Sequence, residues 1–222
     1  MKKRRTFTLL ELLMVVAIMM MLISILMPAL RATRERAMET VCKANLKQSM
    51  CLLAMYSGDY NGFLPATYNG TDFWPEVLCR MDYLRWPKIG ESSVLICPGF
   101  APQVYKQTTG KFYNTYGLWV GNSTYGTTSE CASRYYIKLQ KMESDRIVLA
   151  DSAKAADFPD GVQNYYLSSG TGIEKITGGG DDRPVHIRHS GHKTAHAAFP
   201  DGSSRSITVD WIVEDARYNW RR

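Results

Sequence analysis

From Leu12 to Met27 the chain reads Leu-Leu-Met-Val-Val-Ala-Ile-Met-Met-Met-Leu-Ile-Ser-Ile-Leu-Met, with Ser24 its one polar residue. Extended back to Phe7 and on to Leu30, this run reaches the ~20 residues a helix needs to cross a bilayer core. Past Pro28 there is no Gly or Pro until Gly58, so the pattern predicts one continuous helix from Phe7 to about Tyr56. Its first turns beyond the apolar run are charged, with Arg31, Arg34, Glu35, Arg36 and Glu39. Ala37, Val41, Ala44, Gln48, Cys51 and Met55 then recur at 4-3-4-3-4 spacing, and Leu46, Met50 and Leu53 form an adjoining stripe. Together they predict one broad apolar face packed on a sheet. Gly58-Asp59-Tyr60-Asn61-Gly62 and Pro65 end the helix.

Beyond that point short β-prone runs alternate with Gly, Pro, Asn and Asp. The predicted strands are Ser93–Ile96, Tyr113–Val120, Tyr135–Ile137, Arg146–Leu149, Thr194–Phe199 and Arg205–Val209. Trp74–Tyr83 reads as a short helix, and the glycine-rich Gly170–Asp182 as a loop. A long helix followed by a series of strands predicts an α+β fold with a small antiparallel sheet. The organisation follows: a basic leader at 1–6, a membrane-crossing half-helix at 7–30, an amphipathic half at 31–57, and a β-rich domain at 58–222.

The formal charge of +6 suggests a nucleic-acid partner until its placement is considered. Lys2, Lys3, Arg4 and Arg5 supply four of the 27 basic residues; the remaining 23 face 21 acidic ones. A phosphate-tracking groove needs basic residues clustered on the folded domain, so no nucleic-acid partner is expected. The cluster reads as a topogenic signal. The positive-inside rule leaves the N-terminus in the cytoplasm and sends the domain outward across a single-pass cytoplasmic (inner) membrane, into the periplasm of a two-membrane cell or the exterior. A cleaved secretory signal fits poorly, because the apolar run exceeds ~15 residues and Pro28-Ala29-Leu30-Arg31 is not a small-x-small site.

Glu11 interrupts the apolar segment. An ionised carboxylate in lipid costs up to ~2.5–3.5 kcal/mol and calls for a named partner. No basic residue stands one or two turns away on the apolar side. A cut between Thr6 and Phe7 would create an α-ammonium four residues before Glu11, able to neutralise it on a neighbouring copy. Lys-Lys-Arg-Arg-Thr-Phe-Thr-Leu-Leu-Glu-Leu-Leu resembles the leader of type IV pilins and type II secretion pseudopilins. The resemblance implies cleavage between Thr6 and Phe7 by a prepilin peptidase, N-methylation at Phe7, assembly through Glu11 and a helix kinked at Pro28. It implies partners among other pilin-like subunits, in a homo- or heteropolymer. The family prefers Gly before the cut, where this chain has Thr6.

A second set of segments resembles pilin-like proteins with a C-terminal His, a spacer of about nine residues, and Asp-Gly. These are Cys42-Lys-Ala-Asn-Leu-Lys-Gln, Met55-Tyr-Ser-Gly-Asp-Tyr-Asn-Gly, Cys97-Pro, Arg146-Ile-Val-Leu-Ala-Asp-Ser and Phe199-Pro-Asp-Gly. Here the motif residues are His189, Asp201 and Gly202, and eleven residues separate His189 from Asp201.

Five cysteines show no CxxC spacing. Cys42 and Cys51 lie half a turn out of phase on one helix and should not pair. In an oxidising compartment disulfides would draw on Cys79, Cys97 and Cys131. All four histidines fall between His186 and His196. On a strand with Ala195, Ala197 and Phe199 inward, His192 and His196 share the outer face ~13 Å apart, too far for one zinc with ligands at ~2.1 Å. They read as loop and strand-face histidines, one bonding the Asp201–Gly202 turn, which Asp-Gly predicts as type I′.

Asp151, Asp157 and Asp160 read as solvated turn carboxylates. Calcium, bound in a C-terminal loop by major pseudopilins of the resembled family, lacks its Asp-x-Asp-x-Asp-Gly series here; no cofactor or metal is expected, and calcium stays the alternative, with no ligands assigned. Ser152, Ser190 and Ser203 lack a Gly-x-Ser-x-Gly elbow, and no phosphate-binding glycine motif occurs. The chain reads as a non-enzymatic, assembling subunit. The alternative is a membrane-tethered module that binds polysaccharide or a protein through an aromatic surface.

Overall fold

The computed structural model describes residues 8–100, 102–106, 111–112, 114–119, 126–127, 136–153, 163–164, 166–167, 185–190, 193–208 and 210–211. The fold is α+β. Its first element, helix α1 (Leu9–Asp59), starts at Thr8, whose Oγ1 accepts the Glu11 amide at 3.3 Å while Glu11 Oε2 accepts the Thr8 amide at 2.8 Å. This reciprocal cap satisfies two of the donors a helix start leaves unpaired. Pro28 lies inside α1, where it can donate nothing to the ladder. The helix ends at a left-handed pair, Asn61 (φ 53°) and Gly62 (φ 84°), with Gly62 N bonded to Ser57 O.

The chain divides into two compact units, residues 1–37 and 38–222. In the first, the apolar side chains from Leu9 to Leu30 are exposed, and α1 is long and apolar enough to cross a membrane.

In the second unit, α1 buries Cys42, Leu46, Ser49, Met50, Leu53 and Ser57. The Leu46–Met50–Leu53 stripe is therefore core, as predicted. The neighbouring stripe is not: Ala37, Val41, Ala44, Gln48, Cys51 and Met55 are all exposed. The Leu46–Met50–Leu53 row packs into the core cluster, and the neighbouring row, Val41 and Met55 included, is left outward. Helix α2 (Trp74–Arg80) follows, with Trp74 and Leu78 buried.

The strands are β1 (Gly117–Trp119), β2 (Gly126–Thr127), β3 (Tyr136–Ile137), β4 (Leu149–Ala150), β5 (Tyr166–Leu167), β6 (Thr194–Ala198) and β7 (Ser204–Thr208). The main sheet has the order β5-β1-β4-β6-β7, and β2 and β3 pair separately. Strands β1, β4, β6 and β7 form the expected antiparallel sheet, while β5, which no sequence pattern marked, runs parallel to β1. The register aligns Gly117, Ala150 and Ala197 across three strands. A Cβ at Gly117 would stand 2.8 Å from Leu167 Cγ and Ser152 Cβ, so β5 packs where only glycine leaves room.

Two local predictions change. Ser93–Ile96 is a turn, closed by Ile96 N to Ser93 O. Side chains of α1 take the carbonyls a strand ladder would use, Ser49 Oγ donating to Val94 O at 2.9 Å and Asn45 Nδ2 to Ile96 O at 3.1 Å. At the β6–β7 connection, Gly202 N bonds to Phe199 O, Pro200 and Asp201 are central, and only Gly202 (φ 78°) is left-handed. That is a type I turn followed by a left-handed glycine, because Pro200 fixes the first central φ and rules out type I′. Gly170–Asp182 lies outside the described residues.

Candidate functional site

Four segments that are distant in sequence converge between α1 and the sheet. Cys42 stands on the buried face of α1. Cys97 follows the turn that Ser49 and Asn45 hold against the helix, and Gln163 clamps it further: its Oε1 accepts Cys97 N at 2.9 Å and its Nε2 donates to Cys97 O at 3.0 Å. Asp151 directly follows β4, its Oδ2 accepting the His196 amide of β6 at 2.7 Å. His189 sits in the corner that leads into β6, with its amide bonded to Thr194 O. Glu39 of α1 fixes that corner by accepting Ser190 N at 2.6 Å and Ser190 Oγ at 2.9 Å.

The four side chains meet. Cys42 Sγ lies 3.6 Å from Asp151 Oδ1, Cys97 Sγ lies 3.6 Å from His189 Nε2, and His189 Nε2 lies 3.2 Å from Asp151 Oδ2. One candidate donor atom from each falls within 4.8 Å of the other three. Cys42, Cys97 and Asp151 are 0% exposed and His189 5%. Around them, Tyr116 donates its hydroxyl to Cys42 Sγ at 3.3 Å. The buried Arg188 holds Nε 3.8 Å from Asp151 Oδ1, donates to Ser152 O, and lies over the Phe100 ring. His196, fully buried, stacks on His189 with centroids 4.0 Å apart.

This environment separates the titrating groups. Burial opposes ionisation of Asp151, but Arg188 and His189 outweigh it and hold the carboxyl well below its usual range. Burial likewise opposes charging of His189, yet its bonds to Asp151 and Cys97 raise it to about 9. The bond from Cys42 lowers Cys97 to about 6, against its burial, while burial pushes Cys42 up. Burial drops His196 to about 4.

The convergence redistributes the predicted residues. Asp151 is buried and ion-paired rather than solvated; Asp157 and Asp160 lie outside the described residues. His196 is not on an open strand face but fully buried and stacked on His189, and His192 lies outside the described residues. His189 bonds Asp151 and Cys97, not the Asp201–Gly202 turn. Asp201 is bonded to Ser203 N and to Arg205 at 2.7 Å, so His189 and Asp201 do not share a site. Cys79 and Cys97 are free thiols, as are Cys42 and Cys51; Cys131, Thr6 and Phe7 lie outside the described residues. Trp74 and Trp119 are core.

No family model matches the chain, and no solved structure matches it. The type IV wide pilus major component PilA4 of Thermus thermophilus is 41% identical to it over 63 residues, 28% of this chain and 48% of that protein. The chain thus matches about half the length of this curated relative.

Proposed function

We propose that the chain is a membrane-anchored, pilin-like subunit that a prepilin peptidase cuts between Thr6 and Phe7 and that assembles with other such subunits through α1. The similarity to a pilus major component carries this reading. The form of α1 supports it: one helix holds an exposed apolar stretch long enough for a bilayer, then docks a buried face into a small α+β domain. The basic leader orients the N-terminus to the cytoplasm, the domain lies on the far side of the inner membrane, and Phe7 carries the N-methyl group. In the assembled polymer, Phe7 of one copy pairs with Glu11 of the next. Val41, Cys51 and Met55 give α1 a second exposed apolar stripe beyond the span, available to neighbouring helices. The subunit serves a type II secretion or type IV pilus-like system and carries no catalytic site.

Mass spectrometry of the N-terminus of membrane-extracted protein tests processing. Chains beginning at a methylated Phe7 are expected; intact Met1 chains in cells with active peptidase contradict it.

A further inference from the structure

Two thiols, a carboxylate and an imidazole gathered out of water need a reason, and the lengths between them supply one. Zinc binds sulfur at about 2.3 Å, imidazole nitrogen at about 2.0–2.1 Å and carboxylate oxygen at about 2.0–2.2 Å, in a tetrahedron. The edges of such a tetrahedron are about 3.5–3.6 Å from sulfur to nitrogen or oxygen and about 3.3 Å from nitrogen to oxygen. Here Cys42 Sγ to Asp151 Oδ1 and Cys97 Sγ to His189 Nε2 are each 3.6 Å, and His189 Nε2 to Oδ2, the other oxygen of Asp151, is 3.2 Å. Three contacts stand near ligand spacing, and one donor atom from each of the four side chains falls within 4.8 Å of the others, so small side-chain shifts would close a tetrahedron around one ion.

We propose that Cys42, Cys97, Asp151 and His189 form a closed, structural site for one divalent cation of the zinc class. The donor set selects the metal: calcium and magnesium take oxygen ligands in larger number, whereas two thiolates with one imidazole suit zinc. Burial sets the role. All four positions of a tetrahedron are supplied by protein and none opens to solvent, which is the arrangement of structural rather than catalytic zinc.

The surrounding shell is also of the right kind, since outer hydrogen bonds orient ligands and tune the metal. Tyr116 donates to the Cys42 sulfur, and the His196 amide to Asp151 Oδ2. Two thiolates and a carboxylate against a divalent cation leave one negative charge, and the buried Arg188 guanidinium balances it. A Cys42–Cys97 disulfide would explain the two sulfurs. It would not explain a carboxylate and an imidazole at ligand distance from them.

The ion would join α1, the Cys97 loop, the end of β4 and the corner before β6, four segments distant in sequence. Because such sites do not pre-exist in an unfolded chain, their binding energy is folding energy. This inference stands independently of assembly through α1.

The test uses the full chain, purified in detergent without chelators, with metal content measured by plasma mass spectrometry. One zinc per chain is expected, retained in Cys79→Ser and lost in Cys97→Ser. Because Cys97→Ser can fail for reasons of folding, the wild-type chain provides the second measurement. After reduction, stripping and loading with cobalt(II), it should show the intense visible bands of a tetrahedral site and a sulfur-to-cobalt charge-transfer band. A reduced wild-type chain that takes up neither zinc nor cobalt overturns the proposal. So does a metal-free chain whose intact mass and peptide map show Cys42 joined to Cys97.

Discussion

His189 and Asp151 face each other at 3.2 Å, Nε2 to Oδ2, with their side chains 4% and 0% exposed. Arg188 and the His196 amide crowd the same carboxylate, so Asp151 anchors one end of β4 electrostatically as well as by its strand bonds. Asp201, from the same set of sequence motifs, has its Arg205 partner in a half-exposed pair on the β6–β7 turn.

The contrast gives a stability prediction. Asp151→Asn removes the charge that compensates buried Arg188 and should cost ~3–5 kcal/mol, as breaking buried pairs does. Asp201→Asn should cost less than about 1 kcal/mol, the range of exposed pairs. Denaturant unfolding of the detergent-purified chain, followed by tryptophan fluorescence, ranks them; equal losses would place the two carboxylates in equivalent surroundings.

Glycine positions separate two kinds of cost. Gly117→Ala drives a methyl into Leu167 and Ser152 and should cost ~1–3 kcal/mol through overpacking, with β5 loosened. Gly202→Ala meets nothing within 4 Å, so its cost, roughly 1 kcal/mol, is the left-handed backbone alone. Thermal unfolding of both variants should show the larger shift for Gly117→Ala.

Thiol labelling tests both topology and packing. Cys51 is exposed, whereas Cys42, Cys79 and Cys97 are buried. An impermeant maleimide added outside spheroplasts should modify Cys51 quickly and reach the other three only after denaturation, as read by peptide mapping. Labelling of Cys51 only after membrane disruption would reverse the orientation of the chain.

The long helix and the β6–β7 hairpin were legible because each carries its own period, an unbroken apolar run in one and alternation around an Asp-Gly turn in the other. Alternation failed at His196 because both faces of the sheet are covered there, and a doubly buried strand has no polar side to mark. The α1 stripes misled for a related reason. Two apolar rows lie side by side, and only the sheet's position decides which one enters the core. Cys42, Cys97, Asp151 and His189 each sat in a segment that drew notice, but no spacing linked them. Their meeting depends on strand order and helix docking, both long-range. The adjacent-looking pair, His189 and Asp201, serves two separate places.

The central claim, assembly through α1, meets its most direct test at Glu11. In the structure Glu11 caps its own helix through Thr8, so loss of the side chain would confound capping with assembly. Glu11→Gln resolves this, because glutamine keeps the cap while removing the charge that would receive the Phe7 ammonium of a neighbouring copy. Cysteines introduced one at a time between Leu12 and Met27, read against the chain with its native cysteines alone as background, report assembly as additional crosslinked dimers in the membrane. Wild type should crosslink at helix-periodic positions, and Glu11→Gln should insert and be cut at Phe7 yet lose most of the crosslinks. Equal crosslinking in the two chains, with cleavage confirmed in both, would contradict assembly through Glu11 and leave the helix a passive tether.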